Sequence, residues 1–204
     1  MSSLVERTVR GLGENGFKVV EVQTAAQARE YLLGAIAAGA SVGVGGSVSV
    51  RETGVLPELE KKGCTVFSHW GVPAEEVVNV QRSARAADVY LCSANAVTAD
   101  GRLVLLDGRG NRVGAVCDGP KDVYFIVSHS KIVEGGLDAA YLRIKQVACP
   151  QNARRLGLQT PCALTGKCSV KDCEKTSCCL TVVIDHAPHI RNMTVVLVEE
   201  KLGY

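Results

Sequence analysis

Short apolar runs rich in β-branched residues alternate along this chain with longer segments in which apolar residues recur at helical spacing. The runs that predict strands lie at 17–22, 41–47, 64–68, 88–94, 102–107, 112–117, 122–128 and 193–200. Strands that alternate with helices favour a parallel sheet, because each crossover places a helix against one of the sheet's faces. The pattern therefore predicts an α/β protein with a mostly parallel sheet and helices on both faces.

Two helix starts are indicated by residues three apart in the sequence. Thr24 and Gln27 precede an alanine-rich run and have the spacing of a capping box, in which each side chain binds a backbone N–H of the first turn. Ser49 and Glu52 repeat this spacing after a glycine-rich stretch. We therefore expect one helix to begin near each pair.

Turn-forming and helix-breaking residues set two further limits. The sequence G-R-G-N at 108–111 lies between two predicted strands, so 102–117 is expected to form a β-hairpin. A helix is expected from about residue 136 to 148, and Pro150 is expected to end it.

The composition is that of an ordinary globular protein. The chain has 204 residues, of which 47% are hydrophobic and 22% charged, and this predicts one domain spanning 1–204. The net charge is +2, and no basic stripe with interleaved aromatic residues is present, so no nucleic-acid partner is expected.

No apolar segment approaches ~18 residues and the N-terminus has no apolar signal region, so we expect neither a membrane span nor export. The expected location is the cytoplasm.

A glycine-rich loop follows the second predicted strand at Gly45-Gly46-Ser47. In α/β sheets, ligands bind beyond the carboxyl ends of strands, and glycines let the backbone approach an anion while the next helix offers unpaired N–H groups. We therefore predict that Gly45, Gly46, Ser47 and Ser49 bind a carboxylate or phosphate, with Glu52 close by as a catalytic acid or base. The loop is neither a P-loop nor a dinucleotide fingerprint. The alternatives are a tight turn without a ligand, and a Glu52 that only caps its helix.

Further polar residues stand at strand ends and turns in the middle of the chain. Asn95, Asp107 and Asn111 are predicted to contact the same substrate, although a turn alone would also explain Asp107 and Asn111. Lys131 follows the apolar run 122–128 and would emerge at the carboxyl end of that strand, where a positive charge could meet an anion. We predict a catalytic role for Lys131, with a solvated surface lysine as the alternative.

Five of the nine cysteines lie in the segment 160–181, among small and polar residues that give it little to bury: Cys162, Cys168, Cys173, Cys178 and Cys179. Such a segment keeps one shape only if something ties it down, and thiolates on a metal or cluster would do so, as would disulfides. The spacing matches neither a zinc ribbon nor a bacterial ferredoxin. We predict a metal-binding insertion at 160–181, before the last strand. The other four are expected to be small buried hydrophobic residues: Cys64, Cys92, Cys117 and Cys149.

Several motifs, taken with the glycine loop, resemble the lactate-utilisation (LUD) domain family of bacteria and archaea. They are D-G-x-G-N-R-V (107–113), G-P-K (119–121), K-I-V (131–133), C-P-x-N-A-x-R-L (149–156) and T-P-C-x-x-T-G-x-C-x-x-x-D-C (160–173). The resemblance covers about Gly43 to Tyr204. It implies a Rossmann-like fold similar to sugar-phosphate isomerases and CoA transferases, which bind anionic substrates in a cleft above the sheet. It also implies a link to lactate or related organic acids, often in company with iron–sulfur proteins. Ser130 departs from the family pattern, which usually has Asn there.

The resemblance also implies which cysteines would hold a metal centre. Its motif points to Cys162, Cys168, Cys173 and one of the adjacent pair, of which Cys179 is favoured and Cys178 is the alternative. The expected cofactor is a [4Fe–4S] cluster, with zinc as the alternative and redox thiols or disulfides as a third reading. The main hypothesis is an iron–sulfur enzyme acting on a small organic acid or a phosphorylated metabolite. The alternatives are a non-catalytic electron-transfer or assembly subunit with iron–sulfur partner proteins, and a zinc-stapled structural module. A homodimer is left open.

Overall fold

The computed structural model of the protein describes residues 3–168, 173 and 176–204. Helices and strands alternate through most of this chain. The helices are α1 (Leu4–Glu14), α2 (Ala25–Ala35), α3 (Val48–Glu52), α4 (Val55–Lys61), α5 (Val77–Arg85), α6 (Asn111–Asp118), α7 (Leu137–Arg143), α8 (Cys149–Arg155) and α9 (Pro161–Thr165). The strands are β1 (Lys18–Val22), β2 (Ser41–Val44), β3 (Thr65–Ser68), β4 (Val89–Cys92), β5 (Ala96–Thr98), β6 (Leu103–Asp107), β7 (Asp122–Ser128), β8 (Ile132–Val133), β9 (Leu180–Ile184) and β10 (Asn192–Val198). None of the helices in the described ranges has the length and apolar character needed to cross a membrane.

Six strands form one sheet in the order β1-β10-β7-β4-β2-β3, and every neighbouring pair in it is parallel. All six carboxyl ends therefore lie along one edge. β2 has β3 on one side and β4 on the other, so the chain turns back across β2 between these two strands. Such a reversal of direction opens a crevice beyond the carboxyl ends of the neighbouring strands. The predicted parallel sheet is confirmed.

Each face of this sheet buries its own hydrophobic core, as the alternation of side chains along a strand requires. In β7, Val123, Phe125 and Val127 belong to the core on one face, whereas Ile126 belongs to the core on the other face with Leu32 of α2. Residues of α1 and α6 contribute to the first core, and residues of α2 and α4 to the second. Helices therefore flank both faces, as predicted.

A second sheet of four strands, in the order β8-β5-β6-β9, shares the first of these cores. β6 is antiparallel to both β5 and β9, whereas β5 and β8 are parallel. Leu103 and Leu105 of β6 join the core beneath the large sheet, and Val104 packs with Ile144 on the opposite side. The sequence did not predict this sheet, because β5 and β8 have only three and two residues, too few for an alternating pattern to appear.

The predicted hairpin at 102–117 is wrong. Its first half is strand β6, but its second half is helix α6. The carboxylate of Asp107 accepts the Val113 N–H at 3.0 Å and pairs with Arg112 at 2.9 Å, which holds the first turn of the helix in place. Gly110 precedes that turn with φ of 83°, in the left-handed region that suits glycine. The β-branched residues of α6 are accommodated because they form its buried face.

One of the two predicted capping boxes is present, and the prediction of the other at Ser49 and Glu52 is wrong. Thr24 and Gln27 exchange the expected hydrogen bonds at the start of α2. Ser47, and not Ser49, caps α3: its hydroxyl accepts the Val50 N–H at 3.3 Å. Ser49 lies inside the helix, so its side chain is available for other contacts.

The predicted helix end at Pro150 is also wrong. α7 continues through a π-helical turn at Ile144–Ala148 into α8, which carries Pro150 in its first turn. Proline has no N–H for the carbonyl four residues earlier, and the wider π register removes the need for that bond. The cysteine segment follows α8 and leads into β9, so it precedes the last two strands. The predicted insertion 160–181 lies partly outside the described residues, at 169–172 and 174–175.

Candidate active site

A cleft of about 640 Å³ opens at the carboxyl edge of the parallel sheet. Its floor includes Ser47 beyond β2, Ser93 beyond β4 and Lys131 beyond β7, which come together because these strands are neighbours. The predicted site residues that line it are Gly46, Ser47, Ser49, Asn95, Asp107, Asn111 and Lys131. Gly45 and Glu52 are not among its lining residues.

The side chain of Lys131 is buried at the floor of the cleft, with 3% of the residue exposed. Its Nζ donates to Ser49 Oγ at 2.8 Å and Ser93 Oγ at 2.9 Å, and lies 3.4 Å from the carbonyl oxygen of Ala94. No carboxylate pairs with it within residues 3–168, 173 and 176–204. Three neutral oxygens therefore replace the water that would surround an exposed lysine, which contradicts the surface alternative.

This environment disfavours the charged form of the lysine. Burial lowers the pKa of Lys131 to about 7, and the cations Arg143 and Arg112 add to the effect, while Glu52 and Cys92 oppose it. A neutral amine keeps one lone pair, so Lys131 can accept a proton near neutral pH. Burial raises the pKa of the Cys92 thiol to about 12, so that neighbour stays protonated.

The glycine loop forms one wall of the cleft. Gly46 lies against His69, whose Nε2 would be 3.4 Å from a Cβ at that position, and Gly45 lies behind the wall near the Tyr90 hydroxyl. α3 has only five residues, and the Ser47 hydroxyl already accepts one of its first N–H groups. The backbone of this short helix therefore contributes less to an anion site than the sequence suggested, and side chains supply the positive charge.

Arg112 connects the residues of the opposite wall of the cleft through hydrogen bonds and an ion pair. It donates to Asn95 Oδ1 and to the Leu106 carbonyl, both at 2.8 Å, to the Ser93 carbonyl at 3.0 Å, and it pairs with Asp107. Asn95 and Asp107 thus line the cleft while their oxygens hold a guanidinium in place. Any contact that they make with a substrate would be shared with Arg112.

Three basic residues that line the cleft were not predicted: His69, Arg109 and Arg155. Burial lowers the pKa of His69, and the two arginines add to this, so its ring favours the neutral form. His69 follows the carboxyl end of β3, so applying the strand-end rule to every predicted strand would have found it. Arg155 lies inside the motif at 149–156, which was used for the resemblance and not for the site.

Trp70 contacts two arginines, one of which, Arg155, lines the cleft. Its ring lies between the guanidinium groups of Arg51, 4.0 Å from the ring centre, and Arg155, 4.6 Å away. Guanidinium groups stack well on an indole face. The stack connects α3 with α8 and holds Arg155 at the cleft.

Glu52 contacts the segment that follows β10. Its carboxylate accepts the Gly203 N–H at 2.6 Å, and Leu202 beside it is 3% exposed. Gly203 has φ of 60° and lies so close that a Cβ there would overlap Ser49 Oγ and stand 3.3 Å from the Nζ of Lys131. Glu52 therefore fastens residues 202–204 over the buried lysine, and the structure gives this carboxylate a partner other than its own helix.

Two thiols far apart in sequence meet beside the cleft. The sulfur atoms of Cys149 and Cys178 lie 3.4 Å apart. This contact, with help from Lys145, lowers the pKa of Cys178, and the same contact raises the pKa of Cys149. Cys179 is exposed, and its sulfur lies 3.5 Å from the Thr176 carbonyl oxygen. Cys149 was expected to be a plain hydrophobic residue, and the structure instead places it against the cysteine segment.

The other predicted ligands lie near this pair. Burial and the charges of Cys162, Cys168 and Cys178 raise the pKa of Cys173, so these thiols are close enough to influence one another. In the part of the chain that the structure describes, no three His, Cys, Asp or Glu side chains are arranged around one point as metal ligands. The donors are of a suitable kind, because thiolates bind both zinc and iron–sulfur clusters. The predicted ligand set of Cys162, Cys168, Cys173 and Cys179 stays a prediction.

Comparisons with known proteins agree with this architecture. A family model described as the LUD domain matches residues 5–198. Among solved structures, the chain is similar to a DUF162 family protein from Deinococcus radiodurans, with 12% sequence identity, a TM-score of 0.54 and 96% of each chain covered. That identity supports a shared fold and no more. No curated protein matches the chain. Because the family model spans nearly all of the sequence, this protein belongs to the LUD domain family.

Proposed function

We propose that this protein acts on a small organic acid of the lactate type, or on a phosphorylated metabolite, whose anionic group enters the cleft above Gly46 and Ser47. The observation that carries the proposal is Lys131, a buried amine that borders the cleft and has a pKa near 7. This is the range in which proton transfer at neutral pH is most effective. Membership of a family implicated in lactate utilisation supports the same class of substrate.

The ionisable side chains that line the cleft are His69, Asp107, Arg109, Arg112, Lys131 and Arg155. The three arginines supply the positive charge that favours an anion. Asp107 is the one carboxylate side chain in this set, and Arg112 neutralises it. Arg109 has no hydrogen bond or ion pair in the described ranges, so its guanidinium can make a two-pronged contact with a carboxylate or phosphate.

In this proposal Lys131 is the proton acceptor. The neutral amine takes a proton from the hydroxyl of Ser49 or Ser93, and that hydroxyl takes one from a C–H or O–H next to the substrate's anionic group. The electron pair left on the substrate is stabilised by the cationic wall, and the new ammonium donates to the oxygens already around it. Isomerases, lyases and dehydrogenases of hydroxy acids share such a step.

Glu52 enters the proposal as a residue that positions others. Its carboxylate accepts a hydrogen bond from the Gly203 N–H, and Gly203 lies close to Ser49 and Lys131. We expect it to act through that segment and through its charge, and not by exchanging a proton with substrate. The acid–base role predicted from sequence is the alternative.

The proposal includes a metal centre in the cysteine segment, a [4Fe–4S] cluster or, alternatively, zinc. The residues predicted to hold it are Cys162, Cys168, Cys173 and either Cys178 or Cys179. Thr176 and Ser177 of the same segment line the cleft, and the Cys179 N–H donates to the Asp107 carbonyl at 3.0 Å. When bound, such a centre would supply electron transfer or, with an open coordination position, Lewis-acid chemistry next to the anion site.

Calorimetric titration with lactate, pyruvate, inorganic phosphate and a sugar phosphate tests the anion site. We expect at least one of them to bind, and Arg109→Ala to weaken that binding about tenfold, the loss expected for one charged contact of about 1.4 kcal/mol. Arg10→Ala is the matched control, because Arg10 is exposed on α1 and does not line the cleft. Equal binding by both variants would contradict the anion site.

Turnover separates an enzyme from a non-catalytic subunit. With the acid that binds, Lys131→Met should abolish exchange of substrate hydrogen with deuterated water, followed by NMR, whereas Lys121→Met should not. Lys121 is an exposed lysine just before β7, at the opposite edge of the sheet. Binding without exchange or conversion in the wild-type protein would favour the electron-transfer or assembly subunit.

A further inference from the structure

We propose that the anionic group bound above Gly46 is the phosphate of a short phosphate monoester, held by His69, Arg109 and Arg155. This inference rests on the proposed function and selects one of its two substrate classes. The three basic residues come from three parts of the chain, namely the end of β3, the loop before α6, and α8. All three line the cleft, and His69 Nε2 would lie 3.4 Å from a Cβ on Gly46.

The first argument is that these charges have no counter-ion. In the described part of the chain, no carboxylate pairs with Arg109 or Arg155, whereas Arg112 in the same cleft is paired with Asp107. Both unpaired arginines act electrostatically on the ring of His69, so both lie near it. Cations gathered in this way repel one another, and a bound anion removes that repulsion.

The second argument is that Arg155 is held in place before a ligand binds. Its guanidinium stacks on the ring of Trp70, 4.6 Å from the ring centre, and donates to the amide oxygen of Asn152 at 2.7 and 3.2 Å. A guanidinium has five N–H groups, so these contacts leave donors for a ligand. A group that its neighbours already hold loses less freedom when it binds.

The third argument distinguishes a phosphate from a carboxylate. Burial lowers the pKa of His69, and Arg109 and Arg155 lower it further, so the ring is mostly neutral at pH 7. A phosphate monoester carries a charge of roughly −1.5 to −2 and three acceptor oxygens, whereas a carboxylate carries one charge. A dianion beside the ring favours its charged form, so His69 can take a proton from solvent and become a third cationic donor. Two arginines and a protonatable histidine therefore match a dianion better than a monoanion.

The fourth argument is the space between the anion site and the buried amine. The His69 ring lies against Gly46, and Lys131 Nζ lies 2.8 Å from Ser49 Oγ. Gly46 and Ser49 are three residues apart, so the two positions are separated by roughly one helical turn, ~5 Å. The cleft of about 640 Å³ has the size of sites that bury drug-sized ligands, which is more space than a three-carbon acid fills. A short ester can therefore place its phosphate at His69 and its reacting carbon near Lys131.

Calorimetry with glycerate and 3-phosphoglycerate tests the inference, because the two acids differ only in the phosphate. We expect the wild-type protein to bind 3-phosphoglycerate at least about tenfold more tightly, the gain expected for one charged contact. Arg155→Met should reduce this preference about tenfold, and so should Arg109→Met, which leaves the Trp70 stack intact. Arg82→Met is the control, because Arg82 is exposed on α5, does not line the cleft and makes no ion pair in the described ranges.

Trp70 provides a local readout of the same event. It is the single tryptophan of the chain, and it stacks on Arg155. Its fluorescence should therefore change when 3-phosphoglycerate or inorganic phosphate is added, and the change with glycerate should be smaller.

Proton uptake tests the part assigned to His69. Titration of 3-phosphoglycerate at pH 7.5, in buffers of different ionisation enthalpy, measures the protons taken up, and the free phosphate is already mostly dianionic at this pH. His69→Gln should lower the uptake, because glutamine cannot be protonated, whereas His186→Gln replaces an exposed histidine and should keep it. Lys131 can also take up a proton, and Lys131→Met measures its share.

The results that overturn this inference differ from those that overturn the proposed function. Equal binding of glycerate and 3-phosphoglycerate, or proton uptake that His69→Gln leaves unchanged, refutes the inference. Hydrogen exchange of glycerate that depends on Lys131 would then keep the proposed function. No binding of glycerate, 3-phosphoglycerate or inorganic phosphate would remove both.

Discussion

The floor of the cleft and its cysteine-bearing rim are stabilised in different ways. Ser49, Ser93 and Lys131 on the floor are 1%, 3% and 3% exposed, and they follow strands whose side chains fill two hydrophobic cores. By contrast, α8 and the described part of the rim after it share a small buried cluster around Ala153 and Cys162. The floor is therefore fixed by the register of the sheet, and the rim depends on a few polar contacts and, in our proposal, on a bound metal.

This difference shows how one site can combine a rigid floor with a rim that, in our proposal, needs a bound metal. A buried lysine with a lowered pKa must be held by a structure that water cannot enter, because hydration would restore its charge. A thiolate centre differs, because binding of the metal itself supplies the free energy that orders its ligands. The predictions that follow separate the two regions, from the largest effect to the smallest.

The largest loss of stability is expected when one methyl group is added to strand β2, which leads into the floor of the cleft. Gly43 of β2 lies so close to α5 that a Cβ would overlap the Ala84 carbonyl oxygen. Gly43→Ala should therefore destabilise the protein by roughly 3 kcal/mol or more, because the backbone of a packed strand cannot move away. Urea unfolding followed by circular dichroism measures it.

A glycine of the rim provides the matched comparison. Gly166 ends α9 with φ of 82°, and a Cβ there would meet only the end of the Arg154 side chain, 2.7 Å away. Gly166→Ala should lower the free energy of unfolding by about 1 kcal/mol. Gly114→Ala on α6, where nothing lies within 4 Å, should be neutral or slightly stabilising. Similar losses of unfolding free energy in Gly43→Ala and Gly166→Ala would mean that the floor and the rim do not differ in rigidity.

The second prediction concerns the pH dependence of stability. Burial lowers the pKa of Lys131 from 10.5 to about 7, so between these values the unfolded chain holds a proton that the folded chain has released. Stability due to this group therefore rises with pH across that window, by up to about 1.4 kcal/mol per pH unit, and is lost as pH falls through 7. Lys131→Met should remove this slope and stabilise the protein more at pH 7 than at pH 9.

Urea unfolding at pH 7, 8 and 9 measures this slope directly. Lys121→Met, which replaces an exposed lysine, is the control and should keep the wild-type slope. The same slope in Lys131→Met as in the wild type would show that Lys131 is charged in the folded protein, and the proposed base would then lack its neutral form.

These two regions also differ in how far the sequence predicted them. β7 was predicted at 122–128 and is found there, and Lys131 follows it into the cleft, because an apolar run and the strand-end rule both act locally. The helix at 111–118 was missed because its β-branched residues suit a strand, and only contacts with Asp107, four or more residues away, decide in favour of a helix. Cys149 could not be recognised from its spacing, since its contact with Cys178 arises from how α8 packs.

The third prediction is limited to the rim. If a metal ties down the cysteine segment, adding a chelator to anaerobically prepared protein should increase trypsin cleavage after Lys167 at least about tenfold, since a local opening costs less without the metal. The main thermal transition should move by only a few degrees, because the two sheet cores do not depend on that segment. A large shift of the main transition would mean that the rim and the floor unfold together.

The smallest effect is expected at Glu52, which joins the floor to residues 202–204. Its charge raises the pKa of Lys131, so Glu52→Gln should shift the midpoint of the pH–rate profile downward by a fraction of a unit while turnover persists. Glutamine keeps an oxygen that can accept the Gly203 N–H, so stability should change by less than about 1 kcal/mol. The profile is measured by hydrogen exchange of the bound acid between pH 5 and 9. Complete loss of exchange with unchanged stability would instead make Glu52 the catalytic acid or base, and residues 202–204 would then be only its neighbours.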